Sequence, residues 1–202
     1  MMNQSNYEAS YGKRSGARPV SWEDFQAYCR GLALSAEKFD PQIIIGNARG
    51  GVYPGAQIAH LLRKDFYTVY LTRRRLDRQV SEQPVWLVRP PDLVRGQRVL
   101  VVDEISSTGE TLRMLKAELA RLGAGEVRCA VLYAHTSGVE TPDYIGLISD
   151  ALLINPWDRE IVQDGLILYH PEYLHALSLQ DIPPGSVLPQ VMVTTYPPDK
   201  VP

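Results

Sequence analysis

The amino-acid sequence predicts an α/β fold in which a central, mostly parallel sheet is flanked by helices, with a small hood or flap from the C-terminal part. Three observations support this prediction. Short apolar segments alternate with segments whose apolar residues recur every three or four positions, as in strands that alternate with helices. The apolar segments contain few polar residues, which indicates strands covered on both faces. A chain of 202 residues, 45% of them hydrophobic, can bury one full core.

The predicted elements follow one another from Pro19 onward. The first helix carries an apolar stripe that begins with Trp22 and Phe25 and continues at steps of three and four residues. A strand, a turn with two glycines and a second helix come next, and a third helix ends at Gly123. Strands are predicted for five apolar segments, which are residues 43–47, 66–71, 98–103, 127–133 and 151–154.

One domain is expected, at residues 19–170. Residues 1–18 are polar and lack apolar periodicity, so we expect a flexible arm there. Residues 171–202 are predicted to be a C-terminal extension, which ends in the proline-rich sequence VTTYPPDKVP. The sequence shows no internal repeat.

Composition narrows the classes of partner. The formal net charge is -2 and the isoelectric point is near 6.1, which argues against a nucleic-acid partner because such partners need a basic surface. No apolar run approaches the ~18 residues of a membrane span, and no signal peptide is recognisable, so a cytoplasmic location is expected. Cys29 and Cys129 fall in a predicted helix and strand, where buried free thiols are expected rather than a disulfide or a metal pair.

The segment RVLVVDEISSTGETL, residues 98–112, carries the clearest functional signal. An apolar strand leads into Asp103 and Glu104, then into a loop of hydroxyl side chains that precedes a helix. Backbone N–H groups and hydroxyls at a helix N-terminus can bind a phosphate. The two carboxylates would repel that phosphate, so they are predicted to bind ribose hydroxyls or a divalent cation. The predicted phosphate site, called the hydroxyl loop, consists of Ser106, Ser107, Thr108, Gly109, Glu110 and Thr111.

This segment resembles the phosphoribosyl diphosphate (PRPP) motif of the type I phosphoribosyltransferases, in which two acids follow a strand and precede Thr-Gly-x-Thr. The alternative is an ordinary connection between a strand and a helix in an α/β fold. The complete sequence pattern is more specific than such a connection requires. IIIGNARGGVYPG, residues 43–55, resembles the family's pyrophosphate loop. The resemblance implies that Arg49, Gly50 and Gly51 hold pyrophosphate, and that the peptide bond between Ala48 and Arg49 is cis. Residues 48–51 are called the glycine turn below.

The same resemblance gives the segment between these motifs a role. Residues 72–84, TRRRLDRQVSEQP, occupy the place of the family's mobile lid. Arg73 and Arg74 would then help to bind pyrophosphate, while closure of the lid would exclude water. A plain solvated basic loop is the alternative.

The purine branch, which uses xanthine, guanine and hypoxanthine, is the most similar part of the family. PVSWEDFQAYCRGLA resembles its opening helix, and INPWDRE resembles a segment near its base pocket. The resemblance covers residues 19–160 and implies a base pocket at His135, Leu152, Trp157 and Asp158.

Three positions depart from the purine pattern. Ser107 stands where the family has a general acid–base Asp, His135 stands where it has a Lys that reads the purine 6-oxo group, and Leu152 stands where it has an aromatic residue. His135 alternatively serves as a structural hydrogen-bonding residue. The departures put the identity of the base in doubt, because a positioned acid–base group is typically worth 10²–10⁴ in rate.

The resemblance therefore implies an enzyme that transfers the phosphoribosyl group of PRPP to a nucleobase, with a purine favoured, and releases pyrophosphate. Asp103, Glu104 and Arg49 are the expected catalytic residues, and Mg²⁺ is the expected cofactor, bound near the two acids through ribose or water. We expect a homo-oligomer, a dimer. The alternative function is a regulatory protein that binds PRPP or a nucleotide on the same fold and has little transferase activity.

Overall fold

The computed structural model describes residues 14–75, 78–79, 81 and 83–189. They cluster into two compact units, and each is described by itself. The larger unit is residues 23–150. The described part of the smaller unit comprises residues 14–22 and 151–189. Residues 1–13 and 190–202 lie outside the described part of the chain, so the domain boundaries at 18 and 170 stay predictions.

The described residues form twelve strands and four α-helices. The strands are β1 (Ala17–Pro19), β2 (Ile43–Asn47), β3 (Asp65–Thr72), β4 (Arg74–Arg75), β5 (Arg78–Gln79), β6 (Val85–Val88), β7 (Arg98–Ser106), β8 (Glu126–Ala134), β9 (Tyr144–Ile148), β10 (Leu152–Ile154), β11 (Glu160–Gln163) and β12 (Leu166–Tyr169). The helices are α1 (Trp22–Ala36), α2 (Val52–Leu62), α3 (Glu110–Arg121) and α4 (Pro171–Ser178). None of these helices is long and apolar enough to cross a membrane.

The larger unit contains a six-stranded sheet in the order β6-β3-β2-β7-β8-β9. Every neighbouring pair is parallel except β3–β6, which is antiparallel. The predicted α/β class and mostly parallel sheet are therefore confirmed. Because β2, β7 and β8 are parallel, their carboxyl ends lie at one edge of the sheet, where open α/β sheets bind ligands.

The core of the larger unit is buried as the apolar segments predicted. Val99, Val101 and Cys129 belong to the buried cluster between the sheet and α3, and Cys29 is buried on α1. Both cysteines are free thiols, and burial raises the pKa of each to about 12. They are therefore unreactive structural residues at neutral pH.

The smaller unit corrects one strand prediction. Residues 151–154 were expected to extend the main sheet, but Leu152–Ile154 pairs in parallel with Ala17–Pro19 instead. Only three residues separate β9 from β10, whereas a parallel neighbour in the same sheet needs a crossover of a dozen or more. The unit also contains the β11–β12 hairpin, α4 and a separate apolar cluster.

Candidate functional site

The two segments of the predicted site meet at the carboxyl edge of the main sheet. β2 ends at Asn47, and β7 runs beside it in the same direction. One detail is corrected. Asp103 and Glu104 lie inside β7 rather than at its end, because β7 stays paired with β8 as far as Ser106 and Ala134.

The glycine turn connects β2 to α2. Its Ala48–Arg49 peptide bond is cis, which confirms the expectation from the resemblance. The turn is held by backbone hydrogen bonds: the Ala48 N–H donates to the Val69 carbonyl at 2.7 Å, and the Gly51 N–H donates to the Asn47 carbonyl at 3.0 Å. α2 then begins at Val52, so the turn lies at a helix N-terminus, where the helix dipole favours an anion.

The glycine turn packs directly against the two acids. A Cβ atom on Gly51 would lie 2.6 Å from the Val102 carbonyl oxygen and 2.8 Å from the Asp103 Cα atom. A Cβ atom on Gly50 would overlap the carboxylate of Glu104. The predicted pyrophosphate loop and the predicted ribose carboxylates are therefore in van der Waals contact, which two glycines make possible.

The carboxylate of Asp103 is partly buried and held on both of its oxygens. Its Oδ2 accepts a hydrogen bond from Asn47 Nδ2 at 3.0 Å, and its Oδ1 accepts one from the Glu104 N–H at 2.8 Å. Desolvation raises the pKa of Asp103 to about 6, and these two hydrogen bonds limit the rise. Sequence reasoning missed Asn47, because its position beside Asp103 arises only when β2 and β7 pair.

The hydroxyl loop is hydrogen-bonded to the turn at residues 135–138, called the buttress turn. The Ser106 hydroxyl donates to the Gly138 carbonyl at 2.8 Å, and the Ser137 hydroxyl donates to the Ser107 carbonyl at 2.7 Å. Gly109, with φ of 76°, precedes the first residue of α3. The loop therefore has a fixed base and leads into a helix N-terminus, as a phosphate site requires.

The structure changes the roles expected for two hydroxyl-loop side chains. Ser106 is buried and its hydroxyl hydrogen is used within the protein, so we do not expect it to donate to a phosphate. The Glu110 carboxylate pairs with the Arg73 guanidinium at 3.2 Å, so only its backbone N–H is a candidate donor to a phosphate. The remaining candidates are Ser107, Thr108, Gly109 and Thr111.

The predicted lid is described in part. Its Arg73 contacts the start of α3, and the Arg74 N–H donates to Thr72 Oγ1 at 3.0 Å. β4 and β5 pair in antiparallel orientation. Residues 76–77, 80 and 82 lie outside the described residues, and closure over a substrate stays a prediction.

His135 is a buried part of the buttress turn. Its Nδ1 atom lies 2.7 Å from the Ser149 carbonyl oxygen, which can only accept, so Nδ1 carries the hydrogen. The Asp150 carboxylate lies 3.8 Å from the same ring nitrogen, and the backbone N–H of His135 donates to the Ser106 carbonyl at 3.0 Å. These contacts favour a structural hydrogen-bonding role for His135 over a role in recognising the base.

Three predicted base-pocket residues belong to the smaller unit. Leu152 packs in its apolar cluster with Tyr173, so its side chain is placed as a core residue and we do not expect it to stack on a base. The ring of Trp157 lies 6.0 Å from that of Trp22. Asp158 accepts a hydrogen bond from the Tyr173 hydroxyl at 3.3 Å. A base-binding role for Trp157 and Asp158 stays a prediction.

The carboxylates at the sheet edge suit a hard cation that takes its remaining oxygen ligands from substrate and water. Asp103 and Glu104 supply carboxylate oxygens, which Mg²⁺ prefers. Among the described residues there is no group of three or more His, Cys, Asp or Glu side chains that could hold a metal ion alone. The site thus fits a magnesium ion that arrives with substrate oxygens and waters, and it does not form a complete protein cage.

Known proteins with similar sequences are named phosphoribosyltransferases. The family profile described as "Phosphoribosyl transferase domain" matches residues 23–165. The xanthine-guanine phosphoribosyltransferase of Nitratidesulfovibrio vulgaris is 30% identical over 151 residues, which cover 71% of this chain and 85% of that protein. The enzyme of the same name from Idiomarina loihiensis is 31% identical over 153 residues, covering 70% and 87%.

Solved structures agree with the fold. The crystal structure of a purine phosphoribosyltransferase from Pyrococcus horikoshii superposes with a TM-score of 0.62 and is 26% identical. The match covers 72% of this chain and 97% of that one. The sheet, the glycine turn and the hydroxyl loop all lie within the residues that the family profile matches.

Proposed function

Because the chain belongs to the phosphoribosyltransferase family, we propose that it transfers the phosphoribosyl group of PRPP to a purine base and releases pyrophosphate. The observation that carries the proposal is the contact between the glycine turn and the acid pair. Gly50 and Gly51 lie against Glu104 and Asp103 with no room for a Cβ atom. A pyrophosphate on the turn and a ribose on the carboxylates would then lie side by side, as they are joined in PRPP.

The ribose is assigned to the acid pair. Carboxylates accept hydrogen bonds, and the ribose hydroxyls donate them. Asp103 is held on both oxygens, which fixes its orientation, and each oxygen has further capacity to accept. Held this way, the sugar presents its anomeric carbon to an incoming base, and such positioning can supply a large part of the rate.

Pyrophosphate is assigned to the glycine turn, where Arg49 supplies positive charge and the dipole of α2 favours an anion. The 5-phosphate is assigned to the hydroxyl loop at the N-terminus of α3. Arg73 lies nearer to this second site than sequence reasoning indicated, because it pairs with Glu110. We therefore assign Arg73 to the phosphate side and leave Arg74 as a pyrophosphate contact.

Magnesium is the proposed cofactor. Asp103 and Glu104 would hold it, directly or through water, together with oxygens of PRPP. When bound, Mg²⁺ would neutralise charge on the departing pyrophosphate. The C–O bond to pyrophosphate breaks and positive charge develops on the ribose ring. A ring nitrogen of the base forms the new bond to carbon, and the base releases one ring N–H proton.

The base is proposed to be a purine because the curated relatives named above are xanthine-guanine enzymes. Ser107 leaves the chain without the acid–base carboxylate that the family uses at this position. We therefore expect slow chemistry with 6-oxopurines. A homodimer and a cytoplasmic location also stay predictions.

The test is to mix the purified protein with PRPP, Mg²⁺ and a panel of nucleobases, and to measure pyrophosphate release. We expect release that depends on Mg²⁺ and is fastest with a 6-oxopurine. The control is the double variant Asp103→Asn with Glu104→Gln, which should lose Mg²⁺-dependent PRPP binding in a calorimetric titration while it unfolds cooperatively. PRPP binding without release for any base would instead favour the regulatory protein.

A further inference from the structure

Asn47 lies beside Asp103 and links its own strand to the two neighbouring strands of the sheet. It is the last residue of β2, it is buried, and its side chain reaches both β3 and β7. On the β3 side it pairs with the backbone of Leu71, and on the β7 side it contacts the carboxylate of Asp103. Neither the motifs nor the resemblance assigns it a role.

The orientation of the Asn47 amide is fixed by its partners. Its Oδ1 atom accepts from the Leu71 N–H at 3.0 Å, and an N–H group can only donate. Nδ2 must therefore be the atom that faces the Leu71 carbonyl at 3.2 Å and Asp103 Oδ2 at 3.0 Å. Both hydrogens of the amide are used, so the group cannot turn without breaking buried hydrogen bonds.

Two of these three hydrogen bonds replace a strand pairing. β2 pairs with β3 up to Asn47 and Val69, and the chain then leaves the sheet through the glycine turn. The Asn47 side chain supplies the donor and acceptor that Leu71 would otherwise lack. The amide is consequently attached to the backbone of the sheet at two points, and its third hydrogen bond gives Asp103 a partner.

We propose that Asn47 is a positioning residue that holds the Asp103 carboxylate in the orientation required to bind the ribose of PRPP. The proposal rests on the proposed function, because it gives Asp103 that role. Two protein donors occupy one acceptor position on each carboxylate oxygen. The remaining acceptor positions are then directed to the substrate. Residues that orient a ligating group in this way typically change affinity or activity 10–100-fold when replaced.

The test is a double-mutant cycle made of Asn47→Ala, Asp103→Asn and the variant with both changes. The measured quantity is kcat/KM for PRPP at subsaturating PRPP, with KM for the base as a second readout. Asn47→Ala is expected to lower kcat/KM for PRPP 10–100-fold and to change KM for the base less than 3-fold. In the Asp103→Asn background, the same change should alter kcat/KM less than 3-fold, because no carboxylate remains to be positioned.

A matched control is available at the other end of β2. The Gln42 side chain also accepts a hydrogen bond from a backbone N–H, that of Arg98 at 3.0 Å, but it is exposed and lies at the amino edge of the sheet. Gln42→Ala should leave kcat/KM for PRPP unchanged. Asn47→Leu serves if Asn47→Ala does not fold, because it keeps the volume of the side chain and removes the donor to Asp103 without placing a charge beside that carboxylate.

The outcomes distinguish a failure of the inference about Asn47 from a failure of the proposed function. Equal losses from Asn47→Ala in both Asp103 backgrounds, or a loss shared by PRPP and base, would show a merely structural role and overturn the inference while leaving the proposed function intact. An unsubstituted protein that neither binds PRPP nor releases pyrophosphate would overturn the proposed function and this inference with it.

Discussion

The glycine turn and the hydroxyl loop lie at the same edge of the sheet, yet they are held in place differently. The glycine turn is enclosed by backbone: Gly51 lies against Val102 and Asp103 with no space for a side chain. The hydroxyl loop is attached at its base through side-chain hydrogen bonds to the buttress turn, from Ser106 and Ser137. The backbone of the glycine turn is thus confined by the sheet itself, whereas the hydroxyl loop is joined to the buttress turn by side-chain hydrogen bonds as well as by the close packing of Gly138 against Ser106.

This difference predicts how each loop responds to substitution. Backbone atoms of a sheet cannot move far, so crowding the glycine turn should destabilise the fold. Hydrogen bonds to a loop contribute about 1 kcal/mol each, so weakening the hydroxyl loop should reduce phosphate binding with little effect on stability.

Gly51→Ala should give the largest effect. The new methyl group would meet the carbonyl oxygens of Val102 and Asn47 at 2.6 and 2.7 Å, so the backbone must shift. We expect a loss of about 3 kcal/mol in the free energy of unfolding, at the upper end for overpacking. Urea denaturation monitored by circular dichroism measures it.

Gly50→Ala is the matched comparison for that variant. Its methyl group would overlap the Glu104 carboxylate, which can turn away, but would also lie 2.9 Å from the Glu104 Cβ atom, so the backbone must shift slightly. It should cost about 1–2 kcal/mol of stability, less than Gly51→Ala, but lower kcat/KM for PRPP more than about tenfold, because Glu104 is displaced. Similar destabilisation by both substitutions would contradict the distinction between backbone and side-chain contacts.

The second prediction concerns Asp103, whose desolvated carboxylate has a pKa of about 6 in the folded protein. In the unfolded chain an aspartate has a pKa near 3.9, so the folded state holds this proton more tightly. Asp103 should therefore lower the stability of the protein as pH rises from about 4 to 6, by up to about 3 kcal/mol at neutral pH. Asp103→Asn should remove that pH dependence.

The net gain from Asp103→Asn at pH 7 should be smaller, about 1–2 kcal/mol, because the single oxygen of the amide cannot serve both Asn47 and the Glu104 N–H equally. Thermal unfolding of both proteins from pH 4 to 8 measures the difference. Stability curves that stay parallel over this range would show that Asp103 is not desolvated. The variant should also lose PRPP affinity, so stability and function would change in opposite directions.

The part of this site that the sequence predicted is the part encoded in short motifs. Residues 43–51 and 98–111 each combine a strand, a turn and a helix start, so local patterns were enough to place Asp103 and Gly50 at the same sheet edge. The supports come from elsewhere in the chain. Asn47 contacts Leu71, 24 positions away, and Ser137 contacts Ser107, 30 positions away, and neither pairing has a local signal.

Two strands of the main sheet that the sequence did not predict also depend on their place in the fold. β6 and β9 are the two edge strands of the sheet, and each is only partly buried. The predicted strand signal was a continuous apolar run, which suits the buried central strands β2, β7 and β8 and not the edges. The error at Leu152 came from position alone, because an apolar run does not reveal which strand it pairs with.

The third prediction concerns Gly109, the residue of the hydroxyl loop whose backbone is in the left-handed region. Gly109 has φ of 76° and would place a Cβ atom against Thr141, whereas Gly96 has φ of 73° and open space around it. Both Gly→Ala changes should cost about 1–2 kcal/mol from the backbone conformation alone. Only Gly109→Ala should also raise KM for PRPP, by about fivefold or more, because it shifts the start of α3. Equal KM values for the two variants would remove Gly109 from the phosphate site.

The smallest effect is expected from Ser137→Ala in the buttress turn. Its hydroxyl donates to the Ser107 carbonyl at 2.7 Å and is exposed, so its loss should cost about 0.5–1 kcal/mol of stability at most. The Ser107 carbonyl can then bond to water, but the loop loses a fixed attachment. We expect KM for PRPP to rise two- to fivefold with kcat unchanged, because ordering the loop would have to occur on binding.

Thr136→Ala, which breaks a neighbouring hydrogen bond to Asp150 and not one to the loop, is the control and should leave KM for PRPP unchanged. If both variants raise KM equally, the buttress turn acts as one unit, and the contrast between a packed glycine turn and a hydrogen-bonded hydroxyl loop would have to include the whole turn.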